Sequence, residues 1–266
     1  MKLLRLGNTG KEKPAIIDKD GNYRDLSSIV NDFNPETLNF NTIEKIKNTD
    51  ISNLPKLDSN LRIGACVSKP SKFIGIGLNF KDHAEEQNLP IPKEPIIFSK
   101  FTSCITGPND PIIVPKGSNH TDWEVELGFV IGKKATNVSI DKALDHVLGF
   151  FLVNDLSERE FQKNKGLTWD KGKGFDTFGP IGPHIVTKDE LPDFQKLNMF
   201  LDVDGKRMQT GNTGKMIFDI KTLVSYMSSC MTLHPGDICC TGTPPGVGEN
   251  MSPPHFLKGG EEVILG

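Results

Sequence analysis

The sequence predicts an α+β fold that is mainly β, with antiparallel or mixed strands and helices at the periphery. Three observations carry this. Short β-type runs separated by Gly and Pro recur from residue 73 onward. One stretch, Phe218 to Met227, shows the i, i+3, i+4, i+7 apolar spacing of a buried helix face, through Ile220, Leu223, Val224 and Met227. Strands do not alternate with long helices, as they would in a doubly wound sheet. At 266 residues, 36% hydrophobic and 24% charged, the chain has the length and apolar content for one large domain, or a catalytic domain with a small appendage.

Taken in order, residues 1–68 read as a small N-terminal domain. Strand-like pieces lie at Leu3 to Leu6 and Ala15 to Ile17, with a turn signal at Asp20-Gly21. An Asn-rich stretch follows, in which Leu38, Ile43, Ile46, Ile51 and Leu54 still supply apolar spacing. Residues 69–266 form the second unit. Its β runs are Phe73 to Ile76, Pro95 to Phe98, Val125 to Ile131, Val147 to Val153, Met199 to Val203 and Val263 to Leu265. A helix is predicted to begin near Phe80. Ser157, with Glu160 three residues on, makes a capping-box pattern at the start of another. Asp204-Gly205 reads as a tight hairpin.

Lys+Arg at 31 against Asp+Glu at 34 gives a net charge of −3, with no cationic excess for a nucleic acid or an anionic membrane. The longest apolar run, Val147 to Val153, falls far short of the roughly 20 residues that span a bilayer. No secretory signal is legible at the start. Five cysteines without a Cys-x-x-Cys argue against a disulfide framework or a zinc knuckle and point to a reducing cytoplasm.

The most informative segment is Asp122-Trp123-Glu124-Val125-Glu126-Leu127. On a strand, alternate residues share a face about 6.6 Å apart, so Glu124 and Glu126 stand side by side while Trp123, Val125 and Leu127 face the core. Two adjacent carboxylates repel unless a cation lies between them. A third, Asp155, ends an apolar run, where an uncompensated charge is costly. Three oxygen ligands suit Mg²⁺, Mn²⁺ or Ca²⁺ better than zinc; an exposed acidic edge with an ordinary loop Asp is the plainer alternative. His83 and Glu86 lie three apart on one helix face, where the carboxylate can orient the imidazole, as in a water-activating pair or an ordinary surface pair. Arg159, Gln162 and the stretch Lys171-Gly172-Lys173-Gly174 could hold a substrate carboxylate or steady developing negative charge. The turn Cys240 to Gly248 carries amides and hydroxyls that could grip an anion. Gly211 to Met216 lacks the spacing of a nucleotide-phosphate loop. The segment from Asp82 to Pro95, with four acids, few apolar anchors and three prolines, reads as a lid.

These segments, in this order, resemble the fumarylacetoacetate hydrolase family from about Lys72 onward. Gly77 to Glu86 is similar to the family's glycine-x-asparagine-aromatic-x-x-histidine-x-x-glutamate segment, and Asp122 to Leu127 to its glutamate-x-glutamate. Asn154 to Arg159 with Gln162 resembles its third-ligand helix, and Pro235-Gly236-Asp237 through Gly248 its closing signature. Phe80 stands where relatives commonly have Tyr.

The resemblance implies a mixed β-sandwich or β-roll catalytic domain of that type, normally a homodimer. It implies a divalent metal, usually Mg²⁺, on Glu124, Glu126 and Asp155; a catalytic dyad of His83 and Glu86; Lys173 as the cation beside the reacting carbonyl; and Arg159, Gln162 and Thr243 as substrate contacts. The implied activity is metal-dependent hydrolysis of a carbon-carbon bond in a small 2,4-diketo acid. Oxaloacetate decarboxylation, oxo-acid tautomerisation and ureidoglycolate cleavage are alternatives at the same site, and a non-catalytic metal-binding member is a further one. Trp169 to Pro183, Arg207-Met208-Gln209 and Thr243 to Gly248 look most like bacterial ureidoglycolate lyase-like or 2,4-diketo-3-deoxy-sugar-acid hydrolase proteins.

Overall fold

The computed structural model describes residues 1–166 and 168–266. One ten-stranded mixed sheet organises it. Across the sheet run Tyr23–Asp25, Lys13–Ile17, Lys2–Leu6, Gly179–Thr187, Val147–Asn154, Val125–Ile131, Ile238–Cys240, Phe73–Gly77 and Ile96–Lys100, and Ile105–Thr106 joins Gly179–Thr187 in parallel. Ile238–Cys240 and Phe73–Gly77 also pair in parallel. Lys2 and Leu3 pair with Val186 and Ile185, so the three N-terminal strands extend the sheet.

The central strands are buried on both faces. Every residue of Val125–Ile131 is buried, so this strand reads as a near-continuous apolar run apart from Glu126. Its register sets Val125 opposite Asn154 and Glu126 opposite Val153. Asp155 follows at once, and its N–H donates to the Glu124 carbonyl at 2.9 Å. Strand pairing alone therefore gathers the three acids at one end of two neighbouring strands.

Lys206–Asn212, Asn198–Val203 and Val263–Leu265 make a separate three-stranded sheet. Asp204 and Gly205, at φ +49° and +73°, form the predicted tight turn. The predicted helix near 218 spans Ile220–Cys230, capped by the Asp219 carboxylate, with Ile220, Leu223, Val224 and Met227 buried.

One expectation is corrected and one strand is added. The helix after Asp155 is the short Arg159–Lys163, and its N-cap is Glu158, which accepts from the Phe161 N–H; the Ser157 hydroxyl instead donates to the Asp155 carbonyl. Gly179–Thr187, nine residues long, was not legible as a strand because Pro180 and Pro183 each remove a ladder donor. Its ladder tolerates them by a register shift between Gly182 and Val186. Among the described residues no helix is long and apolar enough to cross a membrane.

Candidate active site

Glu124, Glu126 and Asp155 are 6%, 1% and 0% exposed, which rules out an exposed acidic edge. Lys173 bridges two of them: its Nζ donates to Glu124 Oε2 at 2.8 Å and to Asp155 Oδ2 at 2.7 Å. It rides on the short helix Asp170–Lys173, held to the edge strand by the Ser99 N–H, which donates to Asp170 Oδ1. A Cβ at Gly172 would lie 2.5 Å from the Gln162 amide nitrogen, so only glycine lets this helix pack against Arg159–Lys163.

Arg159, buried, donates from Nε to Asp122 Oδ2 at 2.8 Å, pairs through NH1 with Glu124 Oε1 at 2.7 Å, and donates to Gln162 Oε1 at 3.0 Å. Its NH2 lies 2.8 Å from Asp122 Oδ2 without hydrogen-bond geometry.

Sequence reasoning missed two members of this cluster. Asp122, fully buried, accepts from the amides of Trp123, Gly248 and Glu249 as well as from Arg159. Lys100, 1% exposed at the end of its strand, brings Nζ to 2.6 Å from Asp155 Oδ1 and donates to the Lys173 carbonyl. The one local hint of Lys100 is a lone Lys ending an apolar edge strand, since its burial depends on an acid 55 positions away.

The cluster holds four buried carboxylates, Asp122, Glu124, Glu126 and Asp155, against three buried cations, Lys100, Arg159 and Lys173. The imbalance shows at Glu126, and burial also pushes the Asp122 carboxyl up although Arg159 acts to lower it. Burial first, then repulsion by Asp155 and Glu124, drives the Glu126 carboxyl well above the ordinary range, and the Gly242 N–H donating to Oε2 offsets only part of this. Burial also disfavours charge on Glu124, but Lys173 and Arg159 outweigh it and hold the group ionised.

These residues fit a hard cation. Ligand atoms of Glu126, Asp155 and Cys240 lie within 4.8 Å of one another; Glu124, expected with them, stands outside this group and meets Asp155 only across the Lys173 ammonium. Asp155 Oδ1 makes no hydrogen bond and is ion-paired with the buried Lys100 ammonium at 2.6 Å. Burial, then Glu126 and Asp155, push the Cys240 thiol up, so it stays protonated and ligation falls to the oxygens.

The second half of the site is the helix Lys81–Glu86, starting after Phe80 as predicted. Asn79 fixes its entry, donating to the Thr241 and Phe218 carbonyls and accepting from the Phe218 N–H. His83 Nδ1 lies 2.8 Å from Glu86 Oε2. Glu86 also accepts from the Gly246 N–H and the Asn250 side chain, and these hydrogen bonds, with that from His83, hold its carboxyl below the ordinary range although burial acts to raise it.

The turn after Cys240 does grip carboxyl groups, and they are the protein's own. Gly242, Gly246 and Gly248 donate their amides to Glu126, Glu86 and Asp122 at 2.7, 2.9 and 2.7 Å. Gly246 sits at φ +102°, and a Cβ there would lie 2.0 Å from the Met208 carbonyl oxygen. The Thr243 hydroxyl donates to the Val125 carbonyl and accepts from Gln209, a buried residue that also accepts from the Val125 N–H. One turn thus ties the His83 helix and the carboxylate cluster into one frame.

Comparison with known proteins places this frame. The fumarylacetoacetate hydrolase C-terminal family matches residues 72–266. A Burkholderia lata protein named "Putative hydrolase" is 55% identical over 267 residues, covering 100% of this chain and 95% of its own. The fumarylacetoacetate hydrolase of psychrophilic Exiguobacterium antarcticum superposes with a TM-score of 0.86 at 30% identity, covering 100% of this chain and 95% of that one. The maleylpyruvate hydrolase of Sphingobium sp. SYK-6, solved with manganese(II) and pyruvate, gives 0.82 at 25%, covering 100% and 94%. With the motif order, the sheet and the buried acid cluster all in agreement, the chain belongs to the fumarylacetoacetate hydrolase family.

Proposed function

We propose that this protein is a divalent-metal-dependent hydrolase that cleaves a carbon-carbon bond in a small acylpyruvate-like 2,4-diketo acid. The observation that carries the reading is the Gly242–Gly248 turn, which holds Glu86 of the base dyad and Glu126 of the acid cluster through amides four residues apart. A base without the cluster would have no means to stabilise the leaving fragment; a cluster without a base would have no nucleophile. The maleylpyruvate hydrolase solved with manganese and pyruvate adds support, since pyruvate is the fragment such a cleavage releases.

Glu86 accepts the Nδ1 proton of His83 and leaves Nε2 as the base that takes a proton from water attacking the distal carbonyl. Glu126, Asp155 and Glu124 would hold the metal, which would supply Lewis-acid stabilisation of the enolate charge on the departing fragment. Lys173 places a buried ammonium beside the same charge, and burial, though it disfavours that charge, is outweighed by Asp155 and Glu124, which hold the group protonated. Arg159 and Gln162 are assigned to orienting the substrate carboxylate, with the guanidinium held in place by Asp122 and Glu124.

The test is a panel of acylpyruvates, 2,4-diketo-3-deoxy sugar acids, oxaloacetate and ureidoglycolate with Mg²⁺ or Mn²⁺. Turnover of an acylpyruvate above the others supports the reading. Turnover confined to oxaloacetate or ureidoglycolate replaces it with decarboxylation or lyase chemistry, and no turnover of any removes the enzyme assignment.

A further inference from the structure

The nitrogen that must act as base is already occupied. A carboxylate can only accept, so the Glu86 contact puts the imidazole proton on Nδ1 and leaves His83 Nε2 as a lone pair. Gln87 Nε2 lies 2.8 Å from that Nε2, on the side chain one helical turn beyond His83. The His83 side chain is 7% exposed, so with Gln87 in place little room is left for water at that atom.

The two neighbours of the imidazole are held differently. Glu86 is pinned from across the site by Gly246 and Asn250. Gln87 makes no other side-chain hydrogen bond among the described residues. It caps the helix end, with Asn88 at φ +53° turning the chain away and the Leu89 N–H closing on the Ala84 carbonyl. Beyond it run Leu89 and Ile91, both exposed. A rotamer change at Gln87 therefore bares Nε2 without unwinding the helix or disturbing the Glu86 contacts.

We infer that Gln87 is a removable plug on the catalytic base: it donates to His83 Nε2 in the free enzyme and withdraws when substrate binds, so that the base is exposed only in the loaded site. This rests on the reading of His83 and Glu86 as the dyad. Gln87 acts through His83 and is a positioning residue. Because the contact stabilises only the free state, its loss should lower KM and leave kcat in place. The gain in kcat/KM should be roughly two- to tenfold, the usual weight of one neutral hydrogen bond.

The experiment compares wild type with Gln87→Leu and, as a second variant, Gln87→Ala. In ¹⁵N-histidine-labelled unliganded protein, the His83 Nε2 resonance should move toward that of an unbonded pyridine-type nitrogen in both variants. With whichever substrate of the panel is turned over, kcat/KM should rise through KM. A wild-type Nε2 resonance already at the unbonded position overturns the proposal. So does a tenfold or greater fall in kcat in either variant, which would make Gln87 an orienter of the attacking water. His83→Ala separates the underlying reading: an unchanged rate there removes the dyad assignment, whereas the nitrogen shift reports the Gln87 contact independently of turnover.

Discussion

Lys173 and Asp155 are 2% and 0% exposed and locked by ion pairs to Glu124 and Lys100, while the chain from Asn88 to Glu94 leaves Leu89 47% and Ile91 54% exposed. The two regions meet in one site and are built on opposite terms. The acid cluster lies at the ends of paired central strands, where a small displacement would strand a buried charge. The proposed base lies on a helix of six residues, beyond which Leu89 and Ile91 are exposed. Charge stabilisation requires donors fixed in advance of the reaction; a base that must admit substrate and then exclude water requires a segment that can move.

The comparison breaks most visibly at Asp155. Asp155→Ala removes the partner of two buried ammonium groups and should cost about 3–5 kcal/mol, read by chemical denaturation. A loss below about 1 kcal/mol would show that the cluster is not the rigid half. His83→Ala should leave the denaturation curve and metal-induced thermal stabilisation close to wild type while slowing turnover by roughly 100-fold or more. A collapse of stability there would place the dyad helix with the rigid half.

A third test reads the charge imbalance. In the native state Glu126 keeps a proton that the unfolded chain releases above the ordinary glutamate value of about 4.3. The native state binds more protons, so stability falls as pH rises between that value and the raised native one, by at most about 1.4 kcal/mol per pH unit. Glu126→Gln, which mimics the protonated acid, should flatten this slope in metal-free protein and abolish metal-dependent stabilisation. An unchanged slope would assign the pH dependence to another group.

The smallest expected effect is local. Amides from Lys81 to Lys93 should exchange faster than those of Val125 to Ile131 in free protein, and slow on addition of Mg²⁺ and oxalate. Strong protection without ligand would mean a rigid dyad and no lid.

What the sequence made legible follows from range. Val125–Ile131 and Val263–Leu265 came out with their observed bounds, and the His83 helix began at the expected residue, because apolar patterning and turn residues are local signals. The position of Asp155 at the end of an apolar run was enough to bring it near Glu126, whereas Glu124 stands before the strand, outside the group that Glu126 and Asp155 form with Cys240. Gly179–Thr187 was hidden because prolines mask a strand whose irregular register accommodates them. The Ser157 pattern failed because Glu158 competes for the same cap with a longer side chain. Asp122, Lys100, Gln87 and Asn250 drew no notice, since each matters through partners that only the folded chain, or a rotamer, supplies.

Lys173 resembles the fixed counter-ion of an exchange resin. By bridging Glu124 and Asp155 it lets the strands that carry them close without waiting for a metal, so folding and metal loading become separate events. On the proposed metal-dependent reading, an incoming divalent ion would enter by exchange, competing with a tethered ammonium that cannot diffuse away. Lys173 would then supply an ammonium close to the carboxylates that would hold the ion.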